Sequence, residues 1–400
     1  MITNSRTDCA VVGAGPSGLL LAVLLARAGW SVQVLEKEPV LGPPPGGVVL
    51  QPVTLGLLDR LDKLDQLRRQ GMPIEGVDET GPDGPVFSGD YRDLADVPVP
   101  WALAVPLRAV REALLELVRA EPGVNVQTGT LVAGLKDDPC SDCELELSTG
   151  SGTWMLRAGR VVGADGKHST VRRAARFDAR LEPFGGRMLI AKAPRPEGWP
   201  QRIRSHRAER PVVVIPSQPA FVHVLGDIAV PDSAPPADAL ADLAASVGAC
   251  YPELGPMVAG HGEHVALIRS HTVQVTRWRN GRIVLLGDSA HSVHPYGGQG
   301  INLALQDAVL LARALDDELR AGPGGSTAVD DLESRRRPFV ELFQADQRHL
   351  LDPSTAAESL YAINFPRLAL GQEELLLPQL RALGTTSRRP TVGAVATEGS

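Results

Sequence analysis

An α/β fold, in which a parallel-sheet domain is interrupted by an inserted β-sheet and followed by C-terminal helices, is predicted by three observations. The first is Cys9-Ala10-Val11-Val12-Gly13-Ala14-Gly15-Pro16-Ser17-Gly18, an apolar run that closes in three glycines at G-x-G-x-x-G spacing. The second is a pair of later apolar runs ending in small acidic turns, Asp165-Gly166 and Gly287-Asp288. The third is a change of texture between about residues 181 and 275, where short β-rich runs alternate with proline-rich turns. That stretch reads as a second sheet set between two halves of the first domain.

In chain order, the glycine run predicts strand, tight turn and helix. One glycine makes the turn, one lets a pyrophosphate approach the backbone, and one lets the helix pack on the strand. Leu19 to Ala28 supplies the helix, Gly29 ends it, and Ser31 to Leu35 is a second strand ending in Glu36. An acid about twenty residues past the glycines accepts hydrogen bonds from both hydroxyls of an adenosine ribose and repels a 2'-phosphate. The expected ligand is an adenine dinucleotide, and this stretch leaves NAD and FAD open.

Pro43-Pro44-Pro45-Gly46-Gly47 lies in a loop, and Val53 to Leu67 has apolar residues at helical spacing. Residues 71–100 are turn-rich with short strands, and Asp83-Gly84 marks a hairpin. Arg108 begins an amphipathic helix over Ala109 to Ala120, followed by short strands at Val124 to Gln127 and Thr130 to Ala133. Glu144 to Ser148 and Trp154 to Arg157 form a hairpin, and Arg160 to Gly163 is a further strand, with Asp165-Gly166 where ligands bind an α/β sheet. A helix spans Ala237 to Val247 in the inserted region. Gly281 to Leu286 is a buried strand; Pro295 to Asn302 leads into a long helix through Leu315, and a last helix spans Asp330 to Leu351. The main domain is thus 1–180 with 276–350, part of 71–100 joining the inserted side, and 181–275 is the inserted sheet. Residues 351–400 form an extension with a leucine-rich segment from Leu368 to Leu380 and a polar end, 385–400, that reads as disordered.

At 400 residues with 43% hydrophobic and 22% charged content, the chain has material for a substantial core. A net charge of -7 argues against a nucleic-acid partner. The Leu19 to Ala28 run follows a glycine turn and is too short to span a bilayer, so no integral membrane segment and a cytoplasmic location are expected. Cys140-Ser-Asp-Cys143 has redox spacing but precedes a strand, and no second pair completes a zinc site; a structural role and no metal are expected.

The three signatures in this order resemble the FAD-dependent aromatic hydroxylases, single-component class A flavoprotein monooxygenases with the p-hydroxybenzoate hydroxylase fold. The resemblance frames residues 8 to 345 and implies a Rossmann-like FAD-binding domain of glutathione-reductase type, with the inserted sheet on the substrate side. The cofactor contacts carried over are Gly13, Gly15, Ser17, Gly18, Glu36, Lys37, Arg108, Val132, Asp165, Gly166, Asp288, Pro295, Gly298, Gly300, Ile301 and Asn302. Asp288 suits the ribityl hydroxyls. Arg108 matches an arginine that reaches the diphosphate region, and Lys37 is placed to lie over the adenosine. The helix from Gly300 can aim its amides at the flavin edge where charge gathers on reduction. One departure concerns the loop after the second strand, where many relatives carry an arginine and this chain has Pro43-Pro44-Pro45-Gly46-Gly47.

The resemblance implies that NADPH or NADH, bound transiently, reduces FAD, that O2 forms a C4a-hydroperoxyflavin, and that oxygen passes to an aromatic or phenolic substrate. A polyketide-like natural-product intermediate, as in antibiotic biosynthesis, fits by analogy. A phenol reacts better as phenolate, so a partner for its proton is expected; candidates by position are His206, His223 and Arg204 in the inserted sheet, with His291 and His294 beside the flavin motif. Alternatives on the same scaffold are a halogenase, for which no W-x-W signature is present, and a reductase or oxidase. A non-catalytic FAD-binding protein stays open, as does the choice of monomer or homodimer.

Overall fold

A mostly parallel sheet frames the molecule. The computed structural model describes residues 5–383 apart from 43–45, 96, 138–140, 185, 232, 323–324 and 351–358. The sheet's path runs Arg279–Asn280, Ile283–Leu285, Gly152–Gly163, Ser5–Val12, Val32–Leu35 and Val124–Gln127, with all but the first pairing parallel. The glycine-run strand is central. Cys9 and Val11 enter one core and Ala10 and Val12 the other, because successive side chains leave opposite faces. Both faces being covered, the run reads as continuously apolar.

The helices Pro16–Arg27, Leu107–Ala120 and Gly300–Ala321 cover one face. The other face looks toward a second, mostly antiparallel sheet. Its order is Glu263–Ile268, Arg187–Pro194, Phe221–Ile228, Val212–Gln218, Arg202–His206, Gly76–Gly81 and Gly84–Asp90. The last two strands come from the 71–100 stretch, with Gly81 paired to Gly84 at the hairpin end. This sheet also has two buried faces. Val212, Val214, Val222 and Val224 pack beneath the helices Pro236–Cys250 and Gly255–His261, while Ile203, Val213 and Leu225 face the first sheet. A small sheet of Gly47–Leu50, Ala102–Pro106 and Met72–Ile74 lies between the two.

Several boundaries differ from expectation. Trp154 to Arg157 and Arg160 to Gly163 are one strand, Gly152–Gly163, whose first half pairs antiparallel with Cys143–Thr149 while its second half pairs parallel with Ile283–Leu285. The helix expected over Val53 to Leu67 is two, Pro52–Asp59 and Leu64–Arg68, separated where Asp62 takes φ +56°. Both pieces bury leucines in one core, so the periodicity continues across a break that it cannot signal. The strand expected at Thr130 to Ala133 is Leu131–Lys136.

Ala328–Leu350 is the last long helix. The leucine-rich extension makes two helices, Leu360–Leu370 and Glu373–Ala382, parted at Gly371 with φ +62°. Leu351 and the polar end 385–400 lie outside the described residues, as does Cys140. Cys143 is a buried free thiol beside Asp137, raised by burial and that carboxylate. Among the described residues no helix is long and apolar enough to cross a membrane, and no group of side chains is set to hold a metal.

Candidate functional site

The glycine turn is built as its residue types require. Gly13 takes φ +108°, and a Cβ there would collide with the Ala164 carbonyl at the end of the neighbouring strand. Gly15 caps the helix Pro16–Arg27, and a Cβ placed on it meets nothing within 4 Å, so there is open room above the turn. That helix has no acid in its first turn and no side-chain cap, which leaves the amides around Ser17 and Gly18 free for an anion.

Glu36 sits at the mouth of the turn, where its carboxylate accepts the Ala14 amide at 2.9 Å and the Glu38 amide at 3.0 Å. Thr130 donates its amide to the Glu36 carbonyl at 2.8 Å, which brings the strand of buried Val132 to the same end. Lys37 projects into solvent, 3.9 Å from Glu38.

The two acidic turns meet each other and divide their work. Asp165 accepts Ser169 Oγ at 2.5 Å and the Thr170 amide at 2.6 Å, capping the short helix Thr170–Ala174, and it accepts Ser289 Oγ at 3.2 Å. The same Ser289 hydroxyl accepts the Gly166 amide at 2.9 Å. Asp165 therefore braces the site through its side chain. Asp288 makes no hydrogen bond or ion pair among the described residues; burial pushes its carboxyl above the usual range, with His291 and Lys167 pulling the other way. A half-buried acid without a donor, beside an open glycine turn, fits a polyhydroxylated ligand.

Gly297 and Gly298, at φ +89° and +62°, turn the chain into the helix Gly300–Ala321, which has no acid in its first turn and no side-chain cap; half-buried Ile301 lies in that turn. Asn302 is spent on this loop. Its amide donates to the carbonyls of Val49 and Gly298, both at 2.8 Å, and its oxygen accepts the Gln51 amide at 2.8 Å. It thus fastens the loop to the strand Gly47–Leu50, with no amide hydrogen left for a cofactor.

His291 and His294 are likewise occupied. His291 Nε2 lies 2.7 Å from Asp307, whose other oxygen accepts Arg336 Nε at 2.7 Å; Arg336 is fully buried. Burial opposes the Asp307 charge, but Arg336 and His291 outweigh it and hold the carboxyl below its ordinary value. His294 packs between Phe184 and Tyr296, and burial pushes it down to about 3. Gln347 holds its backbone from the helix Ala328–Leu350.

Two cavities lie against the antiparallel sheet and share Val49, Ile215 and Leu225, the smaller of them reaching this loop. The smaller is walled by Pro295, Gly297 and Gly298 on one side and by Tyr91, Tyr361 and Phe365 on another. The larger, about 390 Å³, runs outward past Gly46 and Gly47 to Arg108, Lys192 and His223. Arg108, at the start of Leu107–Ala120, is exposed and stands at this opening.

Strand alternation separates the candidates of the inserted sheet. His223 and Leu225 face the cavities, as do Ile203, Val213 and Ile215. Arg204 and His206 project from the opposite face, where Arg204 lies over the Trp199 ring at 4.7 Å and His206 bonds Thr80 Oγ1 at 2.9 Å beside Tyr251. The structure therefore corrects their placement at the substrate side: an even number of residues from Ile203 would be needed to share its face. Sequence reading missed Lys192, whose signal was one charge interrupting the apolar strand Leu189-Ile190-Ala191-Lys192-Ala193. It also missed Gln51, Tyr91 and the aromatic residues of Leu360–Leu370, which nothing local marks.

Residues 6–345 match the family described as FAD binding domain. Protoasukamycin 4-monooxygenase of Streptomyces nodosus subsp. asukaensis is 32% identical over 362 residues, 87% of this chain and 88% of that one. The 6-methylpretetramide 4-monooxygenase of Streptomyces rimosus is 34% identical over 349 residues, 84% of this chain and 82% of that one. The crystal structure of p-nitrophenol 4-monooxygenase from Pseudomonas putida superposes with a TM-score of 0.74 at 25% identity, covering 94% of this chain and 98% of that one.

Proposed function

The chain belongs to the FAD-binding family of class A flavoprotein monooxygenases, and from that premise we propose that it hydroxylates a phenolic polycyclic substrate, an intermediate of natural-product assembly, with NAD(P)H and O2. The observation that carries the reading is the pair of neighbouring cavities against the apolar face of the antiparallel sheet, the smaller of them bounded by the Pro295 to Gly298 loop. Both are walled mostly by apolar side chains. The relatives named for protoasukamycin and 6-methylpretetramide support the substrate class.

FAD, when bound, supplies the redox chemistry, accepting hydride from the nicotinamide and delivering one oxygen atom of O2. The chain holds and shelters it. The amides at Gly15 to Gly18 would hold the diphosphate, with Arg108 toward the same region; Glu36 and Val132 would take the adenosine, and Asp288 the ribityl hydroxyls. The amides opening Gly300–Ala321 would stabilise negative charge that a bound ring gains on reduction, and a fixed dipole there needs no rearrangement as charge develops. Tyr91, Tyr361 and Phe365 keep the smaller cavity dry, which favours transfer of oxygen over loss of peroxide.

The test is oxidation of NADPH and NADH by the holoenzyme in labelled O2, with a panel of phenols, hydroxyquinones and polycyclic aromatics. Substrate-stimulated oxidation with one labelled atom in the product is expected. Oxidation yielding only hydrogen peroxide across the panel, or no reduction of bound FAD by either nicotinamide, would overturn the reading.

A further inference from the structure

The smaller cavity is a neutral chamber. Among the described residues no Asp, Glu, Lys, Arg or His lines it, and its polar side chains are Gln51, Tyr91, Tyr296 and Tyr361. Two of these are occupied: Tyr296 donates its hydroxyl to the Pro211 carbonyl at 2.8 Å, and Tyr91 donates to Gln51 Oε1 at 3.0 Å. Gln51 is held at every polar atom but one. It precedes Pro52, which keeps its backbone extended (φ -83°, ψ 159°) and starts the helix Pro52–Asp59. Its amide donates to Asn302 at 2.8 Å, and its carbonyl accepts the Leu55 amide at 2.9 Å. The residue is 3% exposed, and among the described residues nothing accepts from its Nε2. A side-chain amide nitrogen carries two donor hydrogens, and leaving them unpaired in a buried place is costly. The fixed side chain thus lacks one thing, an acceptor in the chamber it lines.

The size of the chamber says what kind of acceptor fits. Its volume is about 30 Å³, whereas an apolar cavity that takes a benzene ring measures about 150 Å³. With a ring lying against Val49, Ile215 and Leu225, which border both cavities, one small oxygen-bearing substituent fits beside Gln51. A carboxylate there would exchange its hydration for neutral donors in an apolar chamber, while a carbonyl oxygen needs only one such donor. We propose that Gln51 Nε2 donates to a ring carbonyl oxygen of the substrate, so that the site selects quinones and aryl ketones over rings that carry a carboxylate in that place. The inference rests on the function proposed above for its premise that these cavities receive the substrate. Gln51 then decides which edge of the ring is held in the chamber, and hence which carbon is left outside it. Because the donor is fixed before the ligand arrives, little ordering is required when the bond forms.

The test is equilibrium binding of xanthone and xanthene to the holoenzyme without NAD(P)H. These tricycles share a shape and differ in one ring carbonyl. Xanthone is expected to bind about tenfold tighter than xanthene, the worth of one hydrogen bond, and its infrared carbonyl stretch should lie lower in the complex than in an apolar solvent. Xanthene-9-carboxylate should bind weaker than xanthone by about tenfold or more. Gln51→Leu should bind xanthone and xanthene alike and return the carbonyl stretch to its apolar-solvent position. Flavin content reports folding of each variant. The double variant Gln51→Leu with Tyr91→Phe removes both partners of one bond and strands neither, so it serves where the single variant loses flavin. Equal binding of xanthone and xanthene by the wild type, failure of both to bind, or a carboxylate bound as tightly as xanthone overturns the assignment. So does a preference or a carbonyl stretch that the variants leave unchanged. Because binding needs no turnover, a chain that hydroxylates phenols without preferring xanthone loses only this inference. Absence of hydroxylation leaves the binding result readable.

Discussion

The side-chain oxygen of Asn302 accepts the backbone amide of Gln51 at 2.8 Å, tying the first turn of Gly300–Ala321 to the strand Gly47–Leu50 251 residues earlier. Asn302→Ala should strand two buried backbone groups, Gln51 N–H and the Val49 carbonyl, at about 1–3 kcal/mol for each left unsatisfied, and free the half-buried Gly298 carbonyl. Thermal unfolding with and without FAD checks this. The loss should be larger for Asn302→Asp, whose carboxylate turns oxygen toward two carbonyls.

Asp288 gives a prediction of opposite sign for apoprotein and holoprotein. Its folded pKa is raised, so its contribution to apoprotein stability is fullest below the unfolded value and is lost as pH rises through the folded one. Asp288→Asn should therefore make the apoprotein more stable near neutrality, with the difference closing in acid. The same change should weaken FAD binding by roughly 10-fold to 100-fold, the worth of hydrogen bonds to a charged acceptor. Denaturant midpoints across pH and flavin fluorescence titration measure the two effects.

The buried set His291, Asp307 and Arg336 should govern the acid limb of stability. The Asp307 pKa is lowered in the folded state, so its contribution is present above the unfolded value of about 4 and disappears as pH falls through the folded one. Arg336→Met leaves the Asp307 charge without its main partner and should cost about 3–5 kcal/mol at neutral pH. Urea unfolding should find that penalty shrinking in acid, as Asp307 takes up a proton.

Phe365 stacks 5.0 Å from Tyr91 and 5.5 Å from Phe87, and together with Tyr361 it walls the smaller cavity. Phe365→Ala should cost about 3–5 kcal/mol of stability. Tyr361→Ala should shift preference toward bulkier polycyclic substrates, raising KM for small phenols while leaving FAD affinity unchanged. Steady-state kinetics over a size series checks the second claim.

The glycine turn and the acid that sits at its mouth were legible in the sequence because they are local. A glycine turn, the helix it opens and an acid one strand later all lie within about thirty residues. The inserted sheet was legible as a sheet but not as a surface. Both of its faces are buried, so Val212-Val213-Val214-Ile215 carries no alternation to say which residues look at the cofactor. His206 and His223 were therefore equivalent until register placed one on each face. The role of Asn302 was hidden for a related reason: its bonds run to Gln51 and Val49, partners that only the folded chain brings near.

The helix Leu360–Leu370 closes the smaller cavity from beyond residue 345, where the match to the FAD-binding family ends. The part of the chain that cradles a flavin and one wall of the chamber beside it are thus separate stretches of gene. Substitutions in the helix Leu360–Leu370 can alter which molecules enter without touching the glycine turn or its acids. Such change is bounded, because Phe365, Leu375 and Leu376 are buried in the cores that hold the frame together.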